Sequence, residues 1–417
     1  MPPVSDIPDP VQALVAIVFA LVYLGMILGG LPRLHLDRTG VALLGAIALI
    51  GGGALTVEEA AQSVHLPTIL LLFSFMVISA QMRLGGFYDE LTRRVAAMRL
   101  PPAALLGLIV ALAAALSAVF TNDIVCLAMA PVLADACLRR RLDPVPFLLA
   151  LACASNIGSA ATLIGNPQNM LIGEALALPF AGYLRQALPP VLVSLGLLWL
   201  MLAGSAAGQG EGQGEGAAAS PGAADQAPPL DPWQAAKGLA VAGGLLGVFL
   251  LTDWPRDVAA LVGAGVLLLS QRFHSSRVMG LVDWELLVLF MGLFVVNHAL
   301  ELTGLTAAAL RSLQATGVDL GAPATLFAAT FVLSNLVSNV PAVMLLLPVA
   351  GEQGTLLALV STLAGNLLIV GSIANIIVVD AARRRGVDID WRRHARTGVP
   401  VTLVSLAVSA GWLAVLR

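Results

Sequence analysis

The chain has 417 residues, of which 58% are hydrophobic and only 11% charged, with a mean hydropathy of +0.91. A soluble domain carries about 25% charged residues, so water-facing side chains are too scarce here and the composition points to a membrane solvent. A formal net charge of −3 excludes an electrostatic case for nucleic acid as partner.

The N-terminal residues MPPVSDIPDP contain two acids and no base, so the first apolar run reads as a membrane helix, not a secretory signal. Runs measured against the roughly 20 residues needed to span predict ten full spans. These lie near 11–30, 40–56, 66–82, 145–178, 183–204, 235–252, 255–271, 282–300, 354–380 and 397–416. Segments 84–99 and 302–316 mix apolar with charged residues and are expected to lie in the interface. Two long apolar stretches, 101–138 and 321–351, are interrupted by Thr121-Asn122-Asp123 and by Ser338-Asn339 with Pro341. Each is expected to be a re-entrant hairpin of two half-helices, since broken backbone at membrane depth needs protein or a water-filled cavity around it.

The stretch 205–232, rich in Gly, Ala, Glu and Pro, reads as a flexible solvated linker. On either side the chain repeats itself. Leu116 through Pro131 aligns without a gap on Leu333 through Pro348, and Ser155-Asn156 with Gly165 through Asn169 matches Gly365-Asn366 with Gly371 through Asn375. Five spans plus a hairpin in each half force the second half to enter from the opposite side. The expected fold class is therefore an all-α polytopic membrane protein, an inverted repeat of two halves, each of five transmembrane helices plus one re-entrant hairpin. The repeats are 1–204 and 233–417.

Charge placement bears on orientation. With the N-terminus periplasmic, eighteen of the 22 basic residues fall on the cytoplasmic side; Arg185, Arg256, Arg311 and Arg417 fall outside. The positive-inside rule then puts both termini in the periplasm and the linker in the cytoplasm of an inner membrane. The arginine runs 139–141 and 383–385 are read as topological anchors, and His298 and Glu301 as interfacial. Cys126, Cys137 and Cys153 lack metal-ligand spacing and read as small buried side chains.

The polar breaks carry the chemistry. An Asn or Thr side chain at 121–122 is expected to cap a half-helix starting at Ile124, and Pro341 suits the first turn of the other. Asn166 followed by Pro167 looks like an N-cap and first-turn pair that restarts a helix after the Gly-rich run from Asn156; Gly371 and Ser372 hold the same place in the second half. Unwound carbonyls suit a cation and new helix N-termini suit an anion. The substrate-binding candidates are Thr121, Asn122, Asp123, Asn156, Thr162, Asn166, Pro167, Asn169, Ser338, Asn339, Asn366, Ser372 and Asn375. Asp123 is the only acid at the tips, and two readings of it stand: a carboxylate capping a helix, or a proton or Na⁺ coupling residue.

At these motifs the sequence resembles the ion transporter superfamily, which holds arsenite/antimonite permeases, citrate transporters, NhaD-type Na⁺/H⁺ antiporters and divalent anion/Na⁺ symporters. The resemblance covers nearly all of the chain except the linker, and residues 156–169 look most like the arsenite-permease and citrate-transporter branches. In the divalent-anion symporters each hairpin tip carries a Ser-Asn-Thr signature, matched here by Thr121-Asn122-Asp123 and Ser338-Asn339-Val340. By position, the resemblance implies one Na⁺-type site at Ser117, Asn122 and Gly165 and another at Ser334, Val337, Asn339 and Gly371, with Asp123 a coupling candidate. It also implies an elevator movement, usually in a homodimer.

Both tips depart from the signature at the third residue. Val340 donates no hydrogen bond, and an ionised Asp123 would repel a dicarboxylate. The expected function is thus H⁺- or Na⁺-coupled transport of a small inorganic or organic anion or metalloid oxyacid. The alternative is a Na⁺/H⁺ antiporter of the NhaD type; an intramembrane enzyme lacks a visible nucleophile and base. No cofactor is expected, and Na⁺ is the candidate bound ion.

Overall fold

A computed structural model describes residues 9–31, 34–207 and 230–416. Most of the expected linker, 208–229, together with Arg33, read as cytoplasmic, and Arg417, read as periplasmic, lie outside the described residues.

Apart from a two-residue antiparallel ladder, Gly30–Leu31 with Leu36–Asp37, the described elements are helical. The first half contains α1 (Asp9–Leu28), α2 (Arg38–Gly51), α3 (Val57–Ser63), α4 (Leu66–Leu84), α5 (Phe87–Ala97), α6 (Pro102–Val119), α7 (Asn122–Arg139), α8 (Pro144–Ser159), α9 (Pro167–Ala175) and α10 (Phe180–Ala207). The second contains α11 (Pro232–Leu251), α12 (Arg256–Leu268), α13 (Ser275–Met279), α14 (Trp284–Leu302), α15 (Leu305–Ala315), α16 (Pro323–Val337), α17 (Asn339–Ala350), α18 (Gly354–Ala364), α19 (Ile373–Arg383) and α20 (Trp391–Val415). Eight described helical stretches are long and apolar enough to cross a membrane. The chain is an all-α polytopic membrane protein.

Helix lengths repeat across the halves. α4 and α14 have 19 residues each, and α5 and α15 have 11. Both short helices follow a left-handed glycine, Gly86 at φ 68° and Gly304 at φ 70°. Acidic residues just before several helices supply the caps: Asp37, Asp143, Asp231, Asp283 and Asp390 each accept from backbone N–H groups of the first turn.

The helix lengths correct three expectations. Two of the ten predicted full spans are short. α2 has 14 residues and rises about 21 Å, ending at the glycines 51–53. α12 has 13 and is closed by Lys237, whose Nζ takes the carbonyls of Leu267 and Leu269 at 3.5 and 2.9 Å. The arms of the first break are also longer than half-helices, α6 and α7 having 18 residues each, against 15 and 12 for α16 and α17. Finally, α10 runs on to Ala207, past the expected boundary at 204.

Packing divides the chain into two compact units, each taking pieces of both halves. The first comprises Met1–Ile69 and Asp283–Leu357; the second comprises Leu70–Val282 and Ala358–Arg417. In the first unit α14 packs on α2, with α1 against both. In the second, α8 is the axis, flanked by α6, α7, α10 and α19, and every residue of it except Pro146 is buried. α6 and α8 touch backbone to backbone: a Cβ on Gly158 would stand 2.3 Å from Ala114 Cα. Small residues admit such close approach, the usual basis of helix packing in lipid.

Candidate functional site

In the second unit, three of the four polar breaks meet. α6 ends at Val119, the chain turns through Phe120 and Thr121, and α7 restarts at Asn122. The restart comes two residues before the expected Ile124, and neither side chain caps it: Thr121 makes no capping bond. The Asn122 amide is engaged elsewhere, its Nδ2 donating to Asn156 Oδ1 at 3.0 Å, while its backbone N–H donates to Gly165 O at 3.2 Å. The tip is thus held by the neighbouring break and not by its own cap.

The second break runs from the end of α8 to the start of α9. Asn166 caps α9 as its sequence predicts, accepting from Asn169 N at 2.9 Å with Pro167 at the first helical position. Thr162 Oγ1 donates to Ala118 O at 2.6 Å, tying the unwound stretch to α6. Gly165 fits where no other residue would: a Cβ there would lie 2.3 Å from Ser159 O and 2.7 Å from Ser117 O.

The third break separates α18 from α19 and includes a 3₁₀ turn, Ile369–Gly371. Ser372 caps α19 by accepting from Ala374 N, and its own Oγ donates to Asn156 Oδ1 at 2.9 Å. Asn156 Nδ2 donates to Asn366 Oδ1 at 2.8 Å and to Asn375 Oδ1 at 3.3 Å. One asparagine therefore joins all three breaks.

The repeat is visible in the bonds themselves. Asn169 Nδ2 donates to the carbonyls of Ser159 and Thr162, ten and seven residues earlier. Asn375 Nδ2 donates to those of Gly365 and Leu368, again ten and seven earlier. Each asparagine clamps the unwound turn that precedes its own helix.

The network is almost wholly buried. Asn122, Asn156, Thr162, Asn166, Asn169, Asn366, Ser372 and Asn375 are all buried, and Asp123 is half-buried in the first turn of α7. No Lys or Arg occurs in 121–123, 156–169 or 362–375. Sequence reasoning missed several participants. Thr362 Oγ1 donates to Asn169 Oδ1 and accepts from Asn166 and Gln168. Tyr183 OH donates to Ala160 O at 2.7 Å and accepts from Asn169. His394, on α20, has Nε2 at 3.1 Å from Asn366 O; a carbonyl only accepts, so that nitrogen carries the proton.

The fourth break, Ser338 through Pro341, belongs to the first compact unit. Ser338 sits between α16 and α17 at φ 80°, ψ 160°, a region that favours glycine. Pro341 lies in the first turn of α17, as its position predicts, and its carbonyl accepts from Tyr23 OH at 3.5 Å. Ser334 and Val337 are buried on α16; Asn339 is half-buried. In the same unit His298 and Glu301 line a cavity of about 350 Å³ between α14, α15 and α17.

Four of the buried oxygens left without a hydrogen-bond partner fall at matching places in the two halves. Ser117 Oγ and Asn122 Oδ1 have none, and neither do Ser334 Oγ and Asn339 Oδ1, their equivalents in the repeat. Buried acceptors are normally paired, so two orphaned pairs at equivalent positions are oxygen donors suited to a cation.

A family model described as "Citrate transporter" matches residues 14–356. A silicon efflux transporter of Oryza sativa subsp. japonica is 30% identical, covering 97% of this chain and 97% of its own length. The inner membrane protein YbiR of Escherichia coli is 30% identical over 84% of this chain and 88% of its own. Among solved structures, the YdaH transporter of Alcanivorax borkumensis superposes with a TM-score of 0.61 at 16% identity, covering 98% of both chains, which bears on the fold alone.

Proposed function

The chain belongs to the citrate transporter family, and from that premise we propose that it is a secondary transporter in which Na⁺ or H⁺ drives a small anion or metalloid oxyacid through the asparagine network. The observation that carries this is the pair of orphaned oxygens, Ser117 with Asn122 and Ser334 with Asn339, repeated at equivalent positions. A hydroxyl and an amide oxygen beside unwound backbone are hard donors of the kind Na⁺ takes.

The chemistry of the network favours a neutral hydroxylated acid over a polyanion. Its side chains are Asn, Gln, Ser, Thr and Tyr, which both donate and accept, with His394 at its edge, no guanidinium or ammonium and one carboxylate, Asp123. A substrate carboxylate about 4 Å from an ionised Asp123 would be repelled by roughly 4 kcal/mol at an effective dielectric constant near 20. Citrate would meet that cost, whereas a metalloid oxyacid carrying OH groups would not. The relative named as a silicon efflux transporter accords with this preference.

In this reading the halves 1–204 and 233–417 are inverted repeats joined by a cytoplasmic linker, with both termini periplasmic in an inner membrane. The breaks at Thr121 and Ser338 are the tips of re-entrant hairpins, and the moving parts travel as an elevator within a homodimer. The arginine distribution and the repeated i−10 and i−7 asparagine clamps support it.

Proteoliposomes loaded with Na⁺ or pH gradients test the reading. Uptake of radiolabelled arsenite, silicate analogue or citrate that follows a gradient, and collapses when it is dissipated, is the expected result. Gradient-independent flux of every substrate would overturn it. The half-buried Asp123 favours one second reading, a Na⁺/H⁺ antiporter without an anion substrate; dye-monitored proton exchange on adding Na⁺ alone, with no substrate uptake, would select it.

A further inference from the structure

The second compact unit holds a basic pocket away from the asparagine network. It encloses about 300 Å³ and is lined by Arg93, Arg99, Arg139 and Arg140 with Ala96, Ala97, Met98 and Ala136. Half of the lining residues are arginine and none is acidic. α5 forms one wall and the end of α7 the other.

The walls are held in place independently of any ligand. Arg140 NH1 donates to Ala96 O and Met98 O at 3.3 and 3.2 Å, and NH2 to Leu100 O at 3.1 Å, so its guanidinium closes the carbonyl end of α5. On α5, Glu90 pairs with both Arg93 and Arg94. Arg99 and Arg139, both exposed, form no ion pair among the described residues. Two guanidinium groups thus face a shaped cavity with no counter-charge of the protein's own.

Chain connectivity gives the depth of this pocket. α4 and α6 are both long and apolar enough to cross a bilayer, and α5 is the short connection between them. Its buried face, Tyr88, Thr92, Val95 and Ala96, packs inward, and its charged edge turns outward. A helix so placed lies at the membrane–water boundary, level with lipid phosphates. The exposed Ala97 and Met98, backed by the buried Ala96 and Ala136, offer a greasy shelf beside the charges.

We infer that this pocket binds an anionic phospholipid, its phosphodiester held by Arg99 and Arg139 and its glycerol end on the alanine and methionine shelf. Arginine forks match phosphate oxygens two at a time, and basic pockets between membrane helices at this level take anionic headgroups. Free phosphate shares the charge chemistry but has no use for the apolar shelf.

The test is native mass spectrometry of the full-length protein, offered phosphatidylglycerol and phosphatidylcholine in equal amounts, with inorganic phosphate and glycerol 3-phosphate as separate arms. Phosphatidylglycerol is expected to be retained in preference, and neither soluble phosphate is expected to displace it. Each basic residue at an anionic surface is worth about a five-fold factor, so Arg99→Ala with Arg139→Ala should weaken retention about thirty-fold. Arg99→Lys with Arg139→Lys should fall between. Equal retention of the two lipids by the wild-type protein overturns the proposal whether or not the variants fold. Undiminished retention by a folded double-alanine variant also overturns it, as does full displacement by inorganic phosphate, which would mark a soluble-anion site.

Discussion

Asn156 and Asn366 occupy the same position in the two halves of the chain, and their side-chain amides are bonded to each other: Nδ2 of the first donates to Oδ1 of the second over 2.8 Å. In this protein that contact is the hub through which the tip at Asn122 and the turn at Ser372 are also tied.

Replacing the hub should therefore cost both stability and transport. Asn156→Ala strands Asn122, Asn366 and Ser372 in a buried setting, where each unpaired polar group costs about 1–3 kcal/mol. Thermal unfolding of the detergent-purified variant should show a clear drop, and flux should be abolished. Asn156→Asp keeps the acceptor and loses the donors, so it should still bond Asn122 and Ser372 and fall between.

The orphaned hydroxyls behave differently. Ser117→Ala and Ser334→Ala each remove an oxygen that bonds nothing in the protein, so no partner is left stranded and stability should hold or rise. Transport should nonetheless need a higher concentration of the coupling ion, by about ten-fold for a loss of about 1.4 kcal/mol. Unchanged ion dependence in both variants would remove these oxygens from the coupling site.

Ser338 holds a backbone conformation suited to glycine. Ser338→Gly should stabilise the fold by relieving strain of about 1–3 kcal/mol, seen as a raised unfolding midpoint, while a loosened tip should slow transport.

Asp135 and Arg385 join α7 to the end of α19 through an ion pair of 2.7 Å with side chains only 9% and 14% exposed. Asp135→Ala should destabilise by about 3–5 kcal/mol, because the guanidinium is left uncompensated. Asp135→Leu combined with Arg385→Met should recover much of that loss in a double-mutant cycle, which an exposed anchor would not show.

Acid should loosen α3. Thr56 donates to Glu59 through its backbone N–H and its hydroxyl, in that order of effect, and holds the carboxyl below its usual range. A depressed carboxylate contributes stability above its unfolded value, about 4.3, and loses it as pH falls through the folded one. Hydrogen exchange at residues 57–63 should accelerate below that range and not above pH 6; Glu59→Gln should flatten the response.

Much of the site was legible because helix breaks are written in local chemistry. Asn166-Pro167 is a cap followed by a first-turn proline wherever it occurs, and the alignment of Leu116–Pro131 with Leu333–Pro348 marked both tips. What escaped depends on tertiary packing. Thr362 and Tyr183 look like ordinary polar residues of apolar helices, and only the fold brings them onto Asn169. Arg385 reads as one member of a basic run; its pairing with Asp135 lies 250 residues away in sequence. The tip at Asn122 was misread for the same reason: capping is a local rule, and here the amide serves a distant partner instead. The compact units were equally hidden, since each combines segments from both halves.

Arg256 closes the far end of α9. Its guanidinium takes the carbonyls of Gly173 and Leu178 at 2.8 and 3.0 Å and pairs with Glu174 at 2.9 Å. The nine-residue helix capped by Asn166 is consequently riveted to the start of α12 at its opposite end. A transport stroke must either carry α9 and the head of α12 together as one stiff lever or shear three polar links at once, and the second course would leave a charged group stranded in an apolar surrounding.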